Sequence, residues 1–317
     1  MKNTEVQQIT VGAEHAGQRI DNFLMTRLKG VPRSHVYQVL RTGQVRVNKG
    51  RIKPVYRLQA GDVVRIPPLH VTETRSEAVP ESLCRELEQR ILYEDDELLI
   101  LDKPAGLAVH GGENLRFGVI EALRQLRGPG LDLVHRLDRA TSGCLLVAKN
   151  RQRLKALHEL FIDRRMHKQY LALLKGAWRG GERTITAGLQ RQGTDTGRRR
   201  TVVDDDGKAS SSTFRPLQRY PLATLMQVDL GSGRMHQIRV HAEHSGHPVA
   251  GDDKYGDFAF NRQLRKLGLK RMFLHAARLE FTVPWQAGRT IRVEAPLDAE
   301  LQQVLSMLEQ QGDDDEQ

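Results

Sequence analysis

LDLVHRLDRATSGCLLVAKN, residues 131–150, is a charged cluster enclosed by two apolar runs. The runs have the composition of buried strands, and the Thr-Ser-Gly sequence at 141–143 is typical of a turn. The cluster at 135–139, His-Arg-Leu-Asp-Arg, therefore lies at the end of a strand and holds a single acid, Asp138. Taken alone, the motif leaves two interpretations equally open. Asp138 closes the turn by pairing with a neighbouring arginine, or it is a functional carboxylate that faces a cleft.

The pattern on both sides of this stretch predicts an α+β fold. Strand and helix patterns do not alternate regularly, which argues against a doubly wound parallel sheet. The predicted strands are 97–104, 131–135, 143–150, 168–176, 223–230 and 274–283, and the predicted helices are 117–127, 151–164, 235–245 and 297–310.

The N-terminal region is strongly basic and is predicted to form a small unit of its own. Residues 16–68 contain eleven Lys and Arg against two Asp, a net charge of +9, whereas the whole chain of 317 residues carries +10. Helical spacing runs over 18–41, and strand patterns follow at 44–48 and 61–67. So concentrated a positive charge is typical of a surface that binds a polyanion, most often a nucleic acid.

The composition argues against several classes of protein. Apolar residues make up 39% of the chain and charged residues 28%, values typical of soluble globular proteins. Cys84 and Cys144 are the only cysteines and form no CxxC pair, so neither a disulfide framework nor a zinc ribbon is predicted. The N-terminus lacks the apolar core of a signal peptide, and no apolar run reaches the ~20 residues of a membrane helix. We therefore expect a cytoplasmic protein without a membrane partner.

Motifs for other chemistries are incomplete. A kinase catalytic loop requires H-R-D and a later D-F-G, but Leu137 interrupts the first and the second is absent, as is a P-loop. The sequence His-Ala-Glu at 241–243 supplies the H-x-E of a zinc nucleobase deaminase, but the P-C-x-x-C that must follow is missing. The histidines at 236, 241, 244 and 247 lack thiolate partners, so we predict no metal site.

The region 18–66 resembles an S4 RNA-binding domain. The shared features are a helix that opens with Arg-Ile-Asp, an Arg-Ser start to the second helix, the sequence GQVRVN at 43–48 and a closing GDVVRI at 61–66. The resemblance and the basic pattern together predict a surface that holds RNA phosphates without reading the base sequence. Its expected members are Arg33, Ser34, Arg41, Arg46, Lys49, Arg51 and Lys53.

Four further motifs follow in order along the rest of the chain. They are LDKPAGLAVHGG (101–112), VHRLDRATSGCLLVAKN (134–150), MHKQYLALLKG (166–176) and GSGRMHQIRVHAEHSGHPVAGDDKYG (231–256). Together they resemble the RluA family of RNA pseudouridine synthases, and HRLD with a later GRxHQIRVH is highly specific for that family. The resemblance implies an S4 domain joined to a catalytic domain with a mixed, mostly antiparallel sheet. It also implies isomerisation of uridine to pseudouridine within RNA, which requires no cofactor.

The resemblance also implies three catalytic residues. The family's catalytic carboxylate corresponds to Asp138, which would act as a nucleophile or as a base at the sugar, and the sequence leaves that choice open. Its charge partner, the arginine of HQIR, is Arg239. The tyrosine that takes the proton from C5 of the base is Tyr170.

Four further residues are expected to bind the substrate. Arg136 and Arg139 flank the catalytic acid and would hold the RNA backbone or the loop. The resemblance implies that an arginine near this position displaces the base from its stack. Lys168 would contact a phosphate or the site, and Ile238 would pack near the base.

We expect four segments along the chain: an N-terminal arm (1–15), an S4-like domain with its linker (16–80), a catalytic domain (81–310) and a disordered acidic tail (311–317). The expected partner is large-subunit ribosomal RNA, bound by a monomer. The alternative is a non-catalytic S4-type RNA binder that assists ribosome assembly. The joint presence of Asp138, Tyr170 and Arg239 favours the enzyme.

Overall fold

The structure, a computed structural model, divides into two compact units, Met1–Ala78 and Val79–Gln317. It describes residues 6–28, 31, 33–68, 78–111, 115, 117–193 and 199–315, so residues 69–77, part of the linker expected at the end of the segment 16–80, lie outside the described residues. Both units combine helices with largely antiparallel sheets, which confirms the α+β prediction. Among the described helices, none has the length and apolar character needed to cross a membrane.

The smaller unit packs two helices on a four-stranded antiparallel sheet. The helical spacing predicted over 18–41 is confirmed, because its apolar positions are buried in the core of this unit. The elements are β1 (Gln7–Thr10), a 3-10 turn (Ala13–His15), α1 (Ile20–Arg27), α2 (Arg33–Arg41), β2 (Arg46–Val47), β3 (Gly50–Arg51) and β4 (Val63–Ile66), and the sheet order is β1-β4-β2-β3. β1 lies within the segment predicted as an arm, and it is a strand because it pairs with β4 from Gln7↔Ile66 to Thr10↔Val63.

The larger unit is built on one eleven-stranded sheet. Its strands are β5 (Ile91–Glu94), β6 (Leu98–Lys103), β7 (Asp132–Leu133), β8 (Ser142–Ala148), β9 (Met166–Lys175), β10 (Arg183–Gly193), β11 (Arg199–Val203), β12 (Lys208–Arg219), β13 (Ala223–Leu230), β14 (Leu274–Thr282) and β15 (Thr290–Glu294). Its helices are α3 (Glu81–Gln89), α4 (Val119–Arg127), α5 (Arg151–Ile162), α6 (Gln237–His244), α7 (Phe258–Lys266) and α8 (Ala299–Asp315).

The sheet order is β11-β10-β12-β13-β9-β14-β8-β6-β5, with β15 on β14 and β7 on β8. All described pairs in it are antiparallel except β8 with β14. The central strands are the most apolar. Every residue of β8 is buried, which is why its sequence predicts a strand so clearly.

The stretch 131–150 forms β7, a loop and β8. The two strands pair antiparallel at Leu133↔Val147, and the loop 134–141 between them carries Asp138. β8 then meets β14 in parallel at Gly143↔Ala276. Gly143 has φ +104°, and a Cβ there would collide with the carbonyl oxygen of Ala276, so only glycine allows the two backbones to approach. The end of the loop is thereby fixed against the centre of the sheet.

Several parts of the larger unit differ from the sequence prediction. The strands β5, β10, β11, β12 and β15 and the helix α7 were not predicted. β10 and β12 are rich in polar residues, and their apolar positions do not alternate clearly. The acidic tail predicted to be disordered from residue 311 is helical up to Asp315, as a continuation of α8. Leu301, Val304 and Leu308 are buried and hold the first turns of this helix, and a helix that has formed extends at little cost per residue.

Candidate active site

Asp138 forms its ion pair with a residue distant in sequence. Arg239 Nη1 donates to Asp138 Oδ2 at 2.9 Å, across 101 positions of the chain. Among the described residues no ion pair joins Asp138 to Arg136 or Arg139, so the acid does not close its own turn. Its side chain keeps 21% of its surface exposed and faces a cleft.

A second carboxylate fixes Arg239. Arg239 Nε and Nη2 donate to the two oxygens of Asp252, at 2.6 and 2.8 Å. Asp252 is fully buried, and its Oδ1 also accepts the backbone N–H groups of Lys254 and Tyr255. A bidentate pair of this kind leaves the guanidinium little rotational freedom. Arg239 therefore presents its remaining edge to Asp138 in one orientation.

The electrostatics of the Arg239–Asp252 pair favour its charged forms. Burial lowers the pKa of Arg239, but the hydrogen bonds and charge of Asp252, with the charge of Asp138, outweigh burial and raise it well above the ordinary value. Burial raises the pKa of Asp252, but Arg239 and two backbone N–H groups outweigh that effect and hold it below its usual range. Arg239 and Asp252 are thus ionised at neutral pH, and Arg239 offers a permanent positive charge to the Asp138 carboxylate.

Lys103 secures the loop that carries Asp138. Its side chain is buried, and Nζ donates to the carbonyl oxygens of Pro104 (2.7 Å), Leu107 (2.9 Å) and Arg139 (3.2 Å). Burial is the main cause that lowers the pKa of Lys103 to about 7. One side chain therefore ties the turn after β6 to the backbone next to Asp138.

A small, open cleft lies in front of Asp138. Tyr170 and Ile238, two of the predicted site residues, line it together with Asp138 and Arg239. Tyr170 is buried on β9. Burial, followed by the negative charge of Asp138, raises the pKa of its hydroxyl above the ordinary value, so the phenol is protonated at neutral pH.

The four predicted substrate-binding residues occupy different positions. Ile238 and the exposed Arg136 line the cleft. Arg139 is exposed, but its Nε donates to the carbonyl oxygen of Gly106 at 2.7 Å. Lys168 is buried and does not line the cleft; its Nζ lies over the ring of Phe161, 4.9 Å from the centroid. Burial, followed by the charge of Arg164, lowers the pKa of Lys168 to about 8.

Sequence reasoning missed several residues of this site. Asp252, Lys254 and Tyr255 belong to DDKYG, a motif that contributed to the family resemblance but had been given no role. His236 was considered only as a metal ligand, yet it lines the cleft. No chemical signal in the sequence marks these residues, because their roles depend on how the turn after α6 folds back onto Arg239.

Two other histidines of this region, His241 and His247, serve structure. His241 lies between the hydroxyls of Ser210 (3.1 Å) and Ser212 (3.0 Å). His247 Nδ1 lies 2.8 Å from the carbonyl oxygen of Lys175. Within the part of the chain that the structure describes, no three His, Cys, Asp or Glu side chains converge as metal ligands.

The smaller unit carries a row of arginines across its sheet. Arg46 is the cross-strand partner of Arg51 on one side and of Arg65 on the other. Like charges directly opposite one another destabilise a sheet unless an anion lies over them. The predicted Arg41, Lys49 and Lys53 are exposed, while Arg33 and Ser34 form the first turn of α2, where the structure does not describe their side chains.

The geometry agrees with comparisons to known proteins. A family model described as RNA pseudouridylate synthase matches residues 97–244, and an S4 domain model matches residues 18–64. The ribosomal large subunit pseudouridine synthase C of Pasteurella multocida (strain Pm70) is 49% identical over 313 residues, which cover 98% of this chain and 96% of the relative. The protein of the same name from Escherichia coli (strain K12) is 52% identical over 309 residues, with 96% and 97% covered.

A solved structure supports the same assignment. Human RNA pseudouridylate synthase domain containing 1 has a TM-score of 0.56 and 27% sequence identity, covering 69% of this chain and 94% of the human chain. The chain belongs to the family of RNA pseudouridine synthases, enzymes that isomerise uridine in RNA, and an S4 domain precedes its catalytic part. The resemblance drawn from the motifs is thereby confirmed.

The Asp252–Arg239 pair generates a stability prediction. Asp252→Asn should lower the free energy of unfolding by about 3 kcal/mol, because it leaves a buried guanidinium without its main counter-charge. Since the pKa of Asp252 is lowered in the fold, its contribution is complete above the unfolded value of ~3.9 and is lost as pH falls through the folded value. Urea unfolding should therefore show a constant difference between wild type and variant down to about pH 5 and a shrinking one below about pH 4.

The matched control is the neighbouring acid. Asp253 is 88% exposed, so Asp253→Asn should change the free energy of unfolding by no more than about 0.5 kcal/mol. Equal stability of the two variants at neutral pH would contradict the role given to Asp252.

Proposed function

We propose that the protein isomerises uridine to pseudouridine in the RNA of the large ribosomal subunit, with Asp138 as the catalytic carboxylate. The observation that carries this proposal is the Asp138 side chain, exposed to a cleft and paired with an Arg239 that Asp252 holds in place. The substrate is inferred from the relatives, which are named as ribosomal large subunit pseudouridine synthases.

The reaction requires an ionised carboxylate next to the sugar. The bond between N1 and C1′ breaks, the uracil turns, C5 bonds to C1′, and the proton of C5 is replaced by one gained at N1. Asp138 would attack the sugar as a nucleophile or remove a proton from it as a base. Either role needs a carboxylate oxygen aimed at the sugar, and Arg239 Nη1 holds the carboxylate by donating to Oδ2 at 2.9 Å.

Tyr170 is proposed to accept the proton from C5. Because its hydroxyl is protonated in the free enzyme, it can do so only if its own proton moves on in the same step. Asp138, the carboxylate that lines the same cleft, is the acceptor we infer. The ring of Tyr170 also offers a face on which the displaced uracil can stack, opposite Ile238.

Arg136 is proposed to occupy the gap that the displaced base leaves in the RNA. It is exposed and lines the cleft, whereas Arg139 is bound to the carbonyl oxygen of Gly106. We assign Arg139 and Lys168 to the support of the loop and the cleft wall rather than to direct base displacement.

A further group of basic residues is proposed to hold the RNA backbone near the cleft. Arg234 is exposed at its rim. Lys254 is exposed. Partial burial, followed by the positive charges of Arg239, Arg200 and Arg191, lowers its pKa. Arg200 stacks on Tyr255 with its guanidinium carbon 4.8 Å from the ring centroid. Concentrated cations of this kind attract phosphates and lower the affinity of the site for any other cation.

The division of labour follows the two units. We propose that the segment 16–80 anchors the RNA and that 81–310 performs the chemistry, in a monomer that needs no cofactor and acts in the cytoplasm. The two buried free cysteines suit a reducing compartment.

The catalytic role of Asp138 is tested by tritium release from large-subunit ribosomal RNA transcribed with uridine labelled at C5. Wild type should release tritium, and Asp138→Asn should reduce the rate more than about a thousandfold, because the amide is neither nucleophile nor base. RNA affinity should change less than about twofold, since phosphate contacts dominate it. Asp253→Asn is the control and should react like wild type.

Tight RNA binding by wild type without any tritium release would instead favour the alternative, a non-catalytic RNA binder that assists ribosome assembly. Undiminished release by Asp138→Asn would contradict the role of this residue.

The RNA-binding role of the smaller unit is tested by its row of arginines. Replacing Arg46, Arg51 and Arg65 by Gln should lower RNA affinity and reduce the slope of log K against log salt by about 2, or ~0.7 for each lost phosphate contact. The slope is measured by filter binding over a range of salt concentrations. Arg85→Gln, an exposed arginine of the larger unit, is the control and should leave the slope unchanged. An unchanged slope in the triple variant would place the RNA elsewhere.

A further inference from the structure

His236 lies between Tyr255 and Asp138, where the reaction described above gives it no task. Its Nδ1 is 2.8 Å from the hydroxyl of Tyr255, and its Nε2 is 3.7 Å from Asp138 Oδ2. That carboxylate oxygen is the one that also accepts from Arg239. Arg239 and His236 therefore both face Oδ2 of Asp138. No described residue donates a hydrogen bond to Oδ1.

The backbone of His236 is strained. It has φ +57° and ψ 20°, the left-handed conformation, immediately before α6 begins at Gln237. Glycine adopts this conformation freely, whereas residues with a Cβ, histidine included, adopt it only occasionally. A residue kept there in spite of the backbone strain points to a function for its side chain.

Tyr255 determines which nitrogen of His236 carries the proton. The Tyr255 oxygen already accepts the backbone N–H of Thr201 at 3.1 Å, and we infer that its own proton is directed to His236 Nδ1. On the opposite side of the ring, the Asp138 carboxylate can only accept. A donor on one side and an acceptor on the other select the form with the proton on Nε2.

His236 is neutral at physiological pH, so this choice of tautomer matters. Burial lowers its pKa, and the charges of Arg239 and Lys254 act in the same direction. Together they outweigh Asp138 and Asp252, the two acids that raise it. The ring therefore acts as a neutral, oriented donor.

Tyr255 also contacts the other group bound to Asp138. The guanidinium carbon of Arg239 lies 4.9 Å from the centroid of the Tyr255 ring, and the Tyr255 N–H donates to Asp252. One buried tyrosine thus orients both donors that meet at Asp138 Oδ2.

We propose that His236 is a positioning residue whose Nε2–H, selected by the Tyr255 hydroxyl, holds Asp138 Oδ2 together with Arg239 and so turns Oδ1 toward C1′ of the substrate uridine. This inference rests on the proposed function. The 3.7 Å separation shortens to a hydrogen bond when the substrate fills the cleft, as contacts in substrate-free active sites commonly do.

Two substitutions of His236 distinguish the contact of Nε2 with Asp138 from the contact of Nδ1 with Tyr255. His236→Gln places an amide N–H near the position of Nε2 and keeps the donor to Asp138. His236→Asn suits the left-handed backbone and reaches Tyr255 but not Asp138. We expect kcat for pseudouridine formation to fall about 10- to 100-fold in the Asn variant and less than about fivefold in the Gln variant, with KM near the wild-type value in both.

A matched pair of tyrosine variants tests whether the Tyr255 hydroxyl fixes the tautomer of His236. Tyr255→Phe should lower kcat about tenfold without changing KM, because the ring of His236 loses the partner that fixes its tautomer. Tyr220→Phe removes another buried tyrosine hydroxyl, one with no hydrogen-bond partner among the described residues, and should leave kcat unchanged. Equal kcat in His236→Asn and His236→Gln, or wild-type kcat in Tyr255→Phe, would overturn the proposal.

A spectroscopic measurement keeps this test separate from that of the function. In protein labelled with ¹⁵N-histidine, long-range ¹H–¹⁵N correlation distinguishes the two neutral tautomers without any RNA. We expect the His236 proton on Nε2 in wild type and a mixture of the two neutral tautomers in Tyr255→Phe. A proton on Nδ1 in wild type would refute the positioning role of His236 even if the enzyme is active. The Nε2 form in a protein that modifies no RNA would refute only the proposed function.

Discussion

The buried guanidinium of Arg239, shared between Asp252 and Asp138, is the interaction on which the site depends. Three charges in a largely buried position are unfavourable unless each is paired and oriented, and here the bidentate contact to Asp252 meets that requirement. The arrangement joins α6, the turn that follows it and the loop between β7 and β8. These segments are far apart in the chain, so the active site exists only when the whole sheet has formed.

The sheet brings these segments together through contacts that tolerate little change. The close approach of β8 to β14 at Gly143 fixes the end of the Asp138 loop, and the buried Lys103 binds the backbone beside it. A carboxylate on a loop is ordinarily mobile. Here its backbone is held from both sides, so the Asp138 carboxylate keeps its place at the edge of an open cleft.

The sequence predicts the parts of the molecule whose signal is local. β8 is apolar throughout and entirely buried, so its strand pattern is clear, and the helical spacing at 18–41 matches the core of the smaller unit. β10 and β12 are polar and largely exposed, and they are strands because neighbouring strands pair with them. Tertiary pairing of this kind leaves little trace in the local pattern.

The same distinction applies to the site. Asp138, Tyr170 and Arg239 were identified through motifs, but the structure was needed to bring Asp252, Tyr255 and His236 to them. A left-handed histidine has no sequence signature, and neither has an aspartate whose function is to hold an arginine. Nor could the sequence separate Arg136, which lines the cleft, from Arg139, which binds a backbone carbonyl.

The most direct test of the account is the structure of the protein bound to RNA that carries 5-fluorouridine at a modified position, since fluorine at C5 cannot leave as a proton. The account predicts the displaced base between Tyr170 and Ile238, with C1′ next to Asp138 Oδ1 and Arg239 still bound to Oδ2 and to Asp252. A complex in which Arg239 leaves Asp252 to bind a phosphate, or in which Asp138 faces away from the sugar, would contradict it.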